Sequence, residues 1–195
     1  MKVTALTAFV LAGGMSQRMG ADKAFVQLKG KTLLERVLRT ARVVTPEVMI
    51  VGERSKFKAY GSVVEDVFRQ RGPLGGIHSA LAVTATELNL ILAVDLPFLE
   101  SRFLTYLYRR AQETSAMVTL PRAAGRWQPL CAVYQKEFGR LAEQALKSGD
   151  NKIDSLFEGI LVACIEEQEM ARAGFSTNML RNINTPEELK AALRQ

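Results

Sequence analysis

The stretch Ala5-Leu6-Thr7-Ala8-Phe9-Val10-Leu11-Ala12-Gly13-Gly14-Met15-Ser16-Gln17-Arg18-Met19-Gly20-Ala21-Asp22-Lys23 decides how the chain is read. Residues 5–11 are a short apolar run closed by glycines, which reads as a buried strand. Met1-Lys2 ahead of such a run also fits the start of a secretory leader. The sequel favours the strand, because Arg18, Gly20, Asp22 and Lys23 make a charged glycine loop rather than a small-residue cleavage site. Two glycines directly after a strand let the backbone pass close to a ligand, and their N–H groups can face phosphate oxygens. Arg18 and Lys23 bring positive charge within reach of the same phosphates. Neither G-x-x-x-x-G-K-[ST] nor G-x-G-x-x-G fits the spacing. A surface loop with an incidental Arg and Lys is the competing reading.

Outward from this loop, strand-like runs alternate with amphipathic stretches. A helix is predicted over 32–43 with Thr32 as N-cap, then a strand at Val48–Val51 ending at Gly52. Val63-Val64 begins a strand that ends near Glu65-Asp66, and Gly72-Pro73-Leu74-Gly75-Gly76 leads into a helix over 77–86. Leu88 to Val94 is the most apolar strand and runs into Asp95-Leu96-Pro97. Ser101 is predicted to cap a helix reaching 113, with strands near 116–120 and 130–134 and a helix near 137–147. A short helix, a strand around 160–164 and a final helix from Pro186 complete the chain. This order predicts an α/β, three-layer, Rossmann-like fold: a mostly parallel sheet with helices on both faces. In such a sheet ligands bind beyond the carboxyl ends of the strands. That rule selects the loop after Leu11, the loop at Gly52, and the turns at Asp66 and Asp95.

Composition sets the bounds. The 195 residues suit one domain, taken as residues 1–195, since a domain averages roughly 150 residues. Hydrophobic residues are 48% and charged residues 24%, which excludes a disordered chain. No apolar run approaches the ~18 residues of a transmembrane helix, so no membrane partner is expected. Cys131 and Cys164 form no C-x-x-C, which argues against a zinc site or a disulfide scaffold and for buried thiols in a reducing cytoplasm. His78 is the single histidine, so a His-rich metal site is excluded. The net charge of +6 favours an anionic partner. The basic residues are scattered, so nucleic acid is not the expected one.

Asp95 leaves the apolar strand at its carboxyl edge, where a carboxylate can hold Mg2+ together with substrate phosphates. An Asx turn opening a proline loop is the alternative. Asp66 can join Asp95 at that edge or serve only its turn. The glycines at 72–76 open a helix, whose N-terminus favours anions and whose glycines can lie against a flat base; a rigid turn is the alternative. With one His and no G-x-S-x-G, a serine hydrolase is excluded.

Leu11-Ala12-Gly13-Gly14-x-Ser16-x-Arg18-Met19-Gly20-x-Asp22-Lys23 resembles the signature loop of the MobA family, the molybdenum cofactor guanylyltransferases of the nucleotidyltransferase superfamily. The likeness continues through Gly30-Lys31-x-Leu33, Glu65-Asp66, Gly72-Pro73-Leu74-x-Gly76, Asp95-x-Pro97, Gln128-Pro129-Leu130 and Asn182-Ile183-Asn184-Thr185-Pro186-Glu187-Glu188-Leu189. The pair Asp22-Lys23 is its most discriminating element; cytidylyl-transferring relatives more often resemble Pro-Lys or a plain Lys there. The resemblance implies a nucleotide-diphospho-sugar-transferase-like fold, GTP and Mg2+ at the strand ends, and transfer of GMP to the terminal phosphate of the molybdopterin cofactor.

By motif position, the resemblance implies that Leu11, Ala12, Gly13 and Gly14 line the nucleotide and that Arg18 and Lys23 stabilise its phosphates. Asp95 would hold Mg2+, Asp66 would contact the ribose or base, and Gly75 and Gly76 would sit against guanine. The N-terminal half would bind nucleotide and the C-terminal half face the pterin, with Lys152, Asn182 and Asn184 on that side and Asn184 helping at the metal. Gly52 stands where the family often has asparagine near the base, so it offers only backbone there. The preference for GTP then rests on Gly13-Gly14 and Asp22-Lys23. A molybdopterin cytidylyltransferase, or another small-acceptor nucleotidyltransferase, is the alternative within the superfamily; a non-catalytic nucleotide-binding protein lies outside it. Transient contact with cofactor-supplying proteins or molybdoenzymes is a further expectation.

Overall fold

The computed structural model describes residues 6–13 and 22–194. Strand β1 (Leu6–Leu11) is followed by a 3-10 turn at Lys23–Phe25 and a small hairpin of β2 (Gln27–Leu28) and β3 (Lys31–Thr32). Then come α1 (Leu33–Val44), β4 (Val48–Val51), α2 (Arg54–Phe57), β5 (Ser62–Val64), α3 (Gly72–Val83), β6 (Leu88–Ala93) and α4 (Ser101–Gln112). The second half holds β7 (Val118–Ala123), β8 (Arg126–Trp127), β9 (Cys131–Gln135), α5 (Phe138–Ser148), α6 (Ile153–Phe157), β10 (Val162–Ile165) and α7 (Glu167–Arg172). A 3-10 turn at Thr177–Leu180 and α8 (Pro186–Leu193) complete the described chain.

The main sheet runs β10-β7-β9-β6-β1-β4-β5, with β8 paired to β7. β1 pairs in parallel with β4 and β6, as do β4 with β5 and β7 with β10. β9 is antiparallel to both β6 and β7. The link from β7 through β8 is too short for a crossover, so the chain can only turn back on itself before β9. Two clusters sandwich the sheet. Ala8 and Val10 of β1 and Leu90 and Leu92 of β6 pack with Leu34 and Val37 of α1 and Phe103 and Leu107 of α4. Phe9 and Ile91 face the other way, toward Leu74 and Ile77 of α3 and Phe138 and Ala142 of α5. Alternate residues of one strand therefore feed opposite layers, as a doubly covered sheet requires.

Local chemistry sets the ends of the elements. Thr32 caps α1 as expected, and Glu35 closes a capping box with it. Several expectations are corrected. The helix predicted over 77–86 is α3, beginning at Gly72, because Pro73 in the first turn has no N–H to satisfy. Ser101 is the first residue of α4 rather than its cap; Glu100 precedes it and pairs with Arg102 instead. The strand predicted near 116–120 is shifted to Val118–Ala123 and continues into the hairpin with β8. Ala124 and Gly125 turn that hairpin with φ of 50° and 70°, a mirror-type turn. Cys131 is buried, whereas Cys164, expected buried, is only half-buried.

Candidate active site

The carboxyl ends of β1, β4, β5 and β6 share one edge, and the parallel pairings align them there. Leu11, Ala12 and Gly13 leave β1 at this edge. The N–H groups of Ala12 and Gly13 both donate to the Val51 carbonyl, at 3.0 and 3.1 Å. This corrects the expectation that the Gly13 N–H faces phosphate: the donor is committed, and what Gly13 offers is an exposed backbone without a side chain. Leu11 is buried under α3, its side chain against Gly76. Gly14 and Arg18 lie outside the described residues.

Gly52 ends β4, and its N–H donates to Val64 at 2.9 Å. A Cβ here would stand 2.7 Å from the buried ring of Phe57. The room that an asparagine would need is filled by this aromatic, so the glycine and Phe57 form one local packing solution. Gly75 and Gly76 are buried inside α3, where a Cβ would meet the Phe68 carbonyl at 2.7 Å and the Leu11 side chain at 3.3 Å. This corrects the reading of these glycines as a platform for guanine: they let α3 approach the sheet. His78, next on the same helix, is buried edge-on against Phe68, and that burial holds its imidazole below the ordinary histidine range.

The polar centre lies beyond β6. Asp95 Oδ2 accepts a hydrogen bond from Lys23 Nζ at 3.1 Å, and the same ammonium donates to Asn184 Oδ1 at 2.5 Å. The two charged side chains keep only 21% and 13% of their exposure, for Lys23 and Asp95 respectively. The Asp95 carbonyl accepts the Ile183 N–H at 3.0 Å, which ties the segment before α8 to the strand end. Three stretches far apart in sequence thus meet at Asp95: Lys23 on its carboxylate, Ile183 on its carbonyl, and Asn184 through the Lys23 ammonium. Asn182, half-buried beside Ile183, belongs to this strap. Asp22 turns elsewhere: Oδ1 accepts the Ala24 N–H and Oδ2 pairs with Lys56 at 3.3 Å, so it caps the 3-10 turn that presents Lys23.

The other oxygen of Asp95, Oδ1, is buried and takes no hydrogen bond. Asp66 Oδ1 is in the same condition. Burial pushes the Asp66 carboxyl above its usual range, with Arg69 opposing. Its Oδ2 would lie 3.5 Å from a Cβ on Gly13, which places Asp66 beside the β1 loop. Buried carboxylate oxygens without partners are costly, and they are what a cation or a ligand N–H would satisfy. Among the described residues no three His, Cys, Asp or Glu side chains gather around a metal position.

Lys152 stands away from this cluster, exposed at the start of α6. Two residues on, Asp154 lines a pocket with Arg122, Gly125, Arg126, Trp127 and Pro129. This pocket was not read from the sequence. Its one signal there is the lone tryptophan directly before Gln128-Pro129-Leu130.

Comparison with known proteins follows the same line. The sequence profile of the MobA-like NTP transferase domain matches residues 8–169. A probable molybdenum cofactor guanylyltransferase of Aquifex aeolicus is 33% identical over 189 residues, covering 96% of this chain and 90% of that protein. A probable molybdenum cofactor guanylyltransferase of Pelotomaculum thermopropionicum is 31% identical over 188 residues, covering 95% and 91%. The crystal structure of molybdopterin-guanine dinucleotide biosynthesis protein A from Archaeoglobus fulgidus superimposes with a TM-score of 0.85 at 26% identity, covering 96% of this chain and 97% of that one. The three-layer fold is of the nucleotide-diphospho-sugar-transferase-like kind.

Proposed function

The chain belongs to the MobA-like NTP transferase family, and from that premise we propose that it transfers GMP from GTP to the terminal phosphate of the molybdopterin cofactor. It is a nucleotidyltransferase; the acceptor, the base and the residue roles are the reading argued here. The observation that carries it is the Lys23–Asp95–Asn184 cluster at the carboxyl edge, with Asp95 Oδ1 buried and unpartnered.

An oxygen of the acceptor phosphate attacks the α-phosphorus of GTP, the bond to the β-phosphate oxygen breaks, and pyrophosphate leaves. The nucleophile is already an anion, so the transfer needs positioning and charge neutralisation more than a base. That suits a chain whose only histidine is buried against Phe68. Lys23, pinned by Asn184, faces the phosphates as they shed pyrophosphate, and Arg18 is given to the same phosphates by its motif position. Gly13 lets the nucleotide approach the backbone closely just after Leu11 and Ala12 at the end of β1, and Gly14 is given to the same nucleotide by its motif position. Asp66 accepts from the nucleoside, with Gly52 shaping the floor. The donor set fits Mg2+, a hard cation served by one carboxylate plus substrate phosphates, and Asp95 Oδ1 is the oxygen free to hold it. When bound, Mg2+ supplies charge neutralisation at the phosphates.

The N-terminal half is the nucleotide side of a single domain over 1–195. The C-terminal half, with Lys152, Asn182 and Asn184, is the pterin side. The reaction belongs in the cytoplasm, where GTP is made and free Cys131 and Cys164 stay reduced. The finished cofactor passes by transient contact to molybdoenzymes, with no part for nucleic acid or membrane in this reading.

Thermal-shift titration with GTP, CTP, ATP and UTP, each with Mg2+, tests this reading, because a ligand that binds the native state raises its melting temperature. GTP alone should stabilise the protein, and should release pyrophosphate when acceptor is added. A CTP preference would assign the chain to cytidylyl transfer instead. No shift with any nucleotide would sink both readings.

A further inference from the structure

The pocket walled by the β7–β8 hairpin and α6 has an open volume of about 610 Å3, in the ordinary range for small-molecule sites. It lies at the same sheet edge as Asp95. Pro129, in its wall, precedes Leu130, whose carbonyl accepts the Ala93 N–H at 2.7 Å, two residues before Asp95. From β6 to β7 the sheet crosses β9, so the two strand ends stand about 10 Å apart.

Two buried donor atoms at this pocket, Trp127 Nε1 and Arg122 Nε, make no hydrogen bond. Arg122 is ion-paired with Glu166, whose Oε1 lies 3.7 Å from Nε, close enough for charge attraction but too far for a hydrogen bond. The two side chains share a strand face, since Arg122 and Trp127 are directly paired in the β7–β8 ladder. The guanidinium sits 5.8 Å from the indole centroid, and Phe157 of α6 braces the indole at 5.3 Å. A mirror-type turn at Ala124-Gly125 closes the hairpin, and the Gln128 side chain donates back to the Ala123 and Arg126 carbonyls. The donors are therefore held on a stiff frame. Across the pocket Asp154 is exposed and offers only acceptor atoms. A buried indole N–H normally finds a partner, so two buried donor atoms without a hydrogen bond beside a cavity call for a ligand that supplies acceptors.

We propose that this pocket seats the ring end of the acceptor: a flat amino-oxo-pyrimidine heterocycle whose oxygen or ring nitrogen accepts from Trp127 and Arg122 and whose amino edge donates to Asp154. The inference rests on the guanylyl-transfer reading and extends it to the residues that select the acceptor. The spacing suits it. With the heterocycle at β7 and β8, a substituent about 10 Å long carries the acceptor phosphate to Asp95. Trp127, Arg122 and Asp154 position the acceptor; they do not touch the atoms that react.

Trp127 is the only tryptophan, so its emission reports on this pocket alone. The probe is 6-hydroxymethylpterin monophosphate, titrated into the full chain while indole fluorescence is followed, with GTP·Mg2+ titrated separately by thermal shift. Saturable quenching by the pterin, and none by GTP, is expected. Asp154→Asn keeps an acceptor oxygen but removes the charge that strengthens the bond, which should weaken pterin binding roughly tenfold and leave the GTP shift unchanged. Trp127→Phe, read by calorimetry, keeps a ring against Phe157 and should show a similar loss. With the complete acceptor, both variants should raise the acceptor KM and leave the GTP KM alone. Absence of quenching, or pterin binding unaltered in both variants, overturns the proposal. Quenching by GTP in competition with the pterin also overturns it and gives the pocket to the donor base. A GTP shift without quenching refutes the pocket but not the transferase; quenching without a GTP shift does the reverse.

Discussion

The two edges of the sheet handle buried polar groups in opposite ways. At the amino edge, Thr84 Oγ1 donates to Asn89 Oδ1 at 2.5 Å, Asn89 Nδ2 donates to the Thr86 carbonyl at 3.1 Å, and Thr86 Oγ1 donates to Thr7 Oγ1 at 3.0 Å. Thr45 Oγ1 donates to the Leu6 carbonyl at 2.6 Å. The network closes on itself although Asn89 is wholly buried. At the carboxyl edge, Asp66 Oδ1, Asp95 Oδ1, Arg122 Nε and Trp127 Nε1 are buried without a hydrogen bond; among the described residues the one other such side-chain atom is His78 Nδ1, inside α3. Satisfied polar groups fix a fold, whereas oriented, unsatisfied ones store a preference for whatever binds. The contrast singles out the carboxyl edge with no reference to any relative.

Substitutions at the two edges should separate along this line. The largest effect is expected for Asp95→Ala. Turnover, followed as pyrophosphate release, should fall by about a thousandfold or more, the scale of losing one preorganised electrostatic group, while the melting temperature barely moves. Activity within tenfold of the parent would remove Asp95 from the metal. Lys23→Ala comes next, with a loss of roughly a hundredfold in kcat and a Mg2+ requirement that persists. A normal kcat would make the Lys23–Asp95 pair structural and erase the contrast. Asn89→Ala should do the reverse. Stability should fall by about 2 kcal/mol, roughly 6 °C in melting temperature, with KM and kcat unchanged at 25 °C, because it orphans buried hydroxyls remote from substrate.

Asp66→Asn is the smallest expected effect and the most diagnostic. Burial raises the Asp66 carboxyl, so the folded state holds its proton to higher pH than the unfolded chain does. The cost to the ligand-free protein is absent below the unfolded carboxylate range, develops as pH rises through the folded value, and is full at neutral pH. Asn at this position should raise the ligand-free melting temperature at pH 7 by roughly 2 °C and bring no gain near pH 3. The same variant should bind GTP more weakly. Stabilisation without loss of GTP binding would make Asp66 a turn residue only.

The strand-turn-helix alternation was legible because buried strands and capped helices write their periods and caps locally, as Thr32 with Glu35 and the apolar run 88–94 show. Asp95 stood out in the sequence as the residue that leaves the apolar strand and Lys23 as a charge after the glycine loop, but that their side chains meet was not legible there. The glycines show the limit. Gly75 and Gly76 look in sequence like a binding turn, and only the packing of Leu11 and the Phe68 carbonyl against them reveals a close helix-sheet approach. Gly52 likewise acquires its reason from Phe57.

Sequence by itself determined the α/β class, singled out one edge of the sheet, and carried the resemblance to the family. Tertiary structure alone decided which polar atoms are already satisfied. It turned the Gly13 N–H toward Val51, gave Lys23 both Asp95 and Asn184, and left Trp127 Nε1 and Arg122 Nε without hydrogen bonds in the pocket that Asp154 also lines. The physical reason is that caps and periodicity are interactions between near neighbours in the chain, whereas hydrogen-bond satisfaction is set by groups that meet across 161 residues in the case of Lys23 and Asn184.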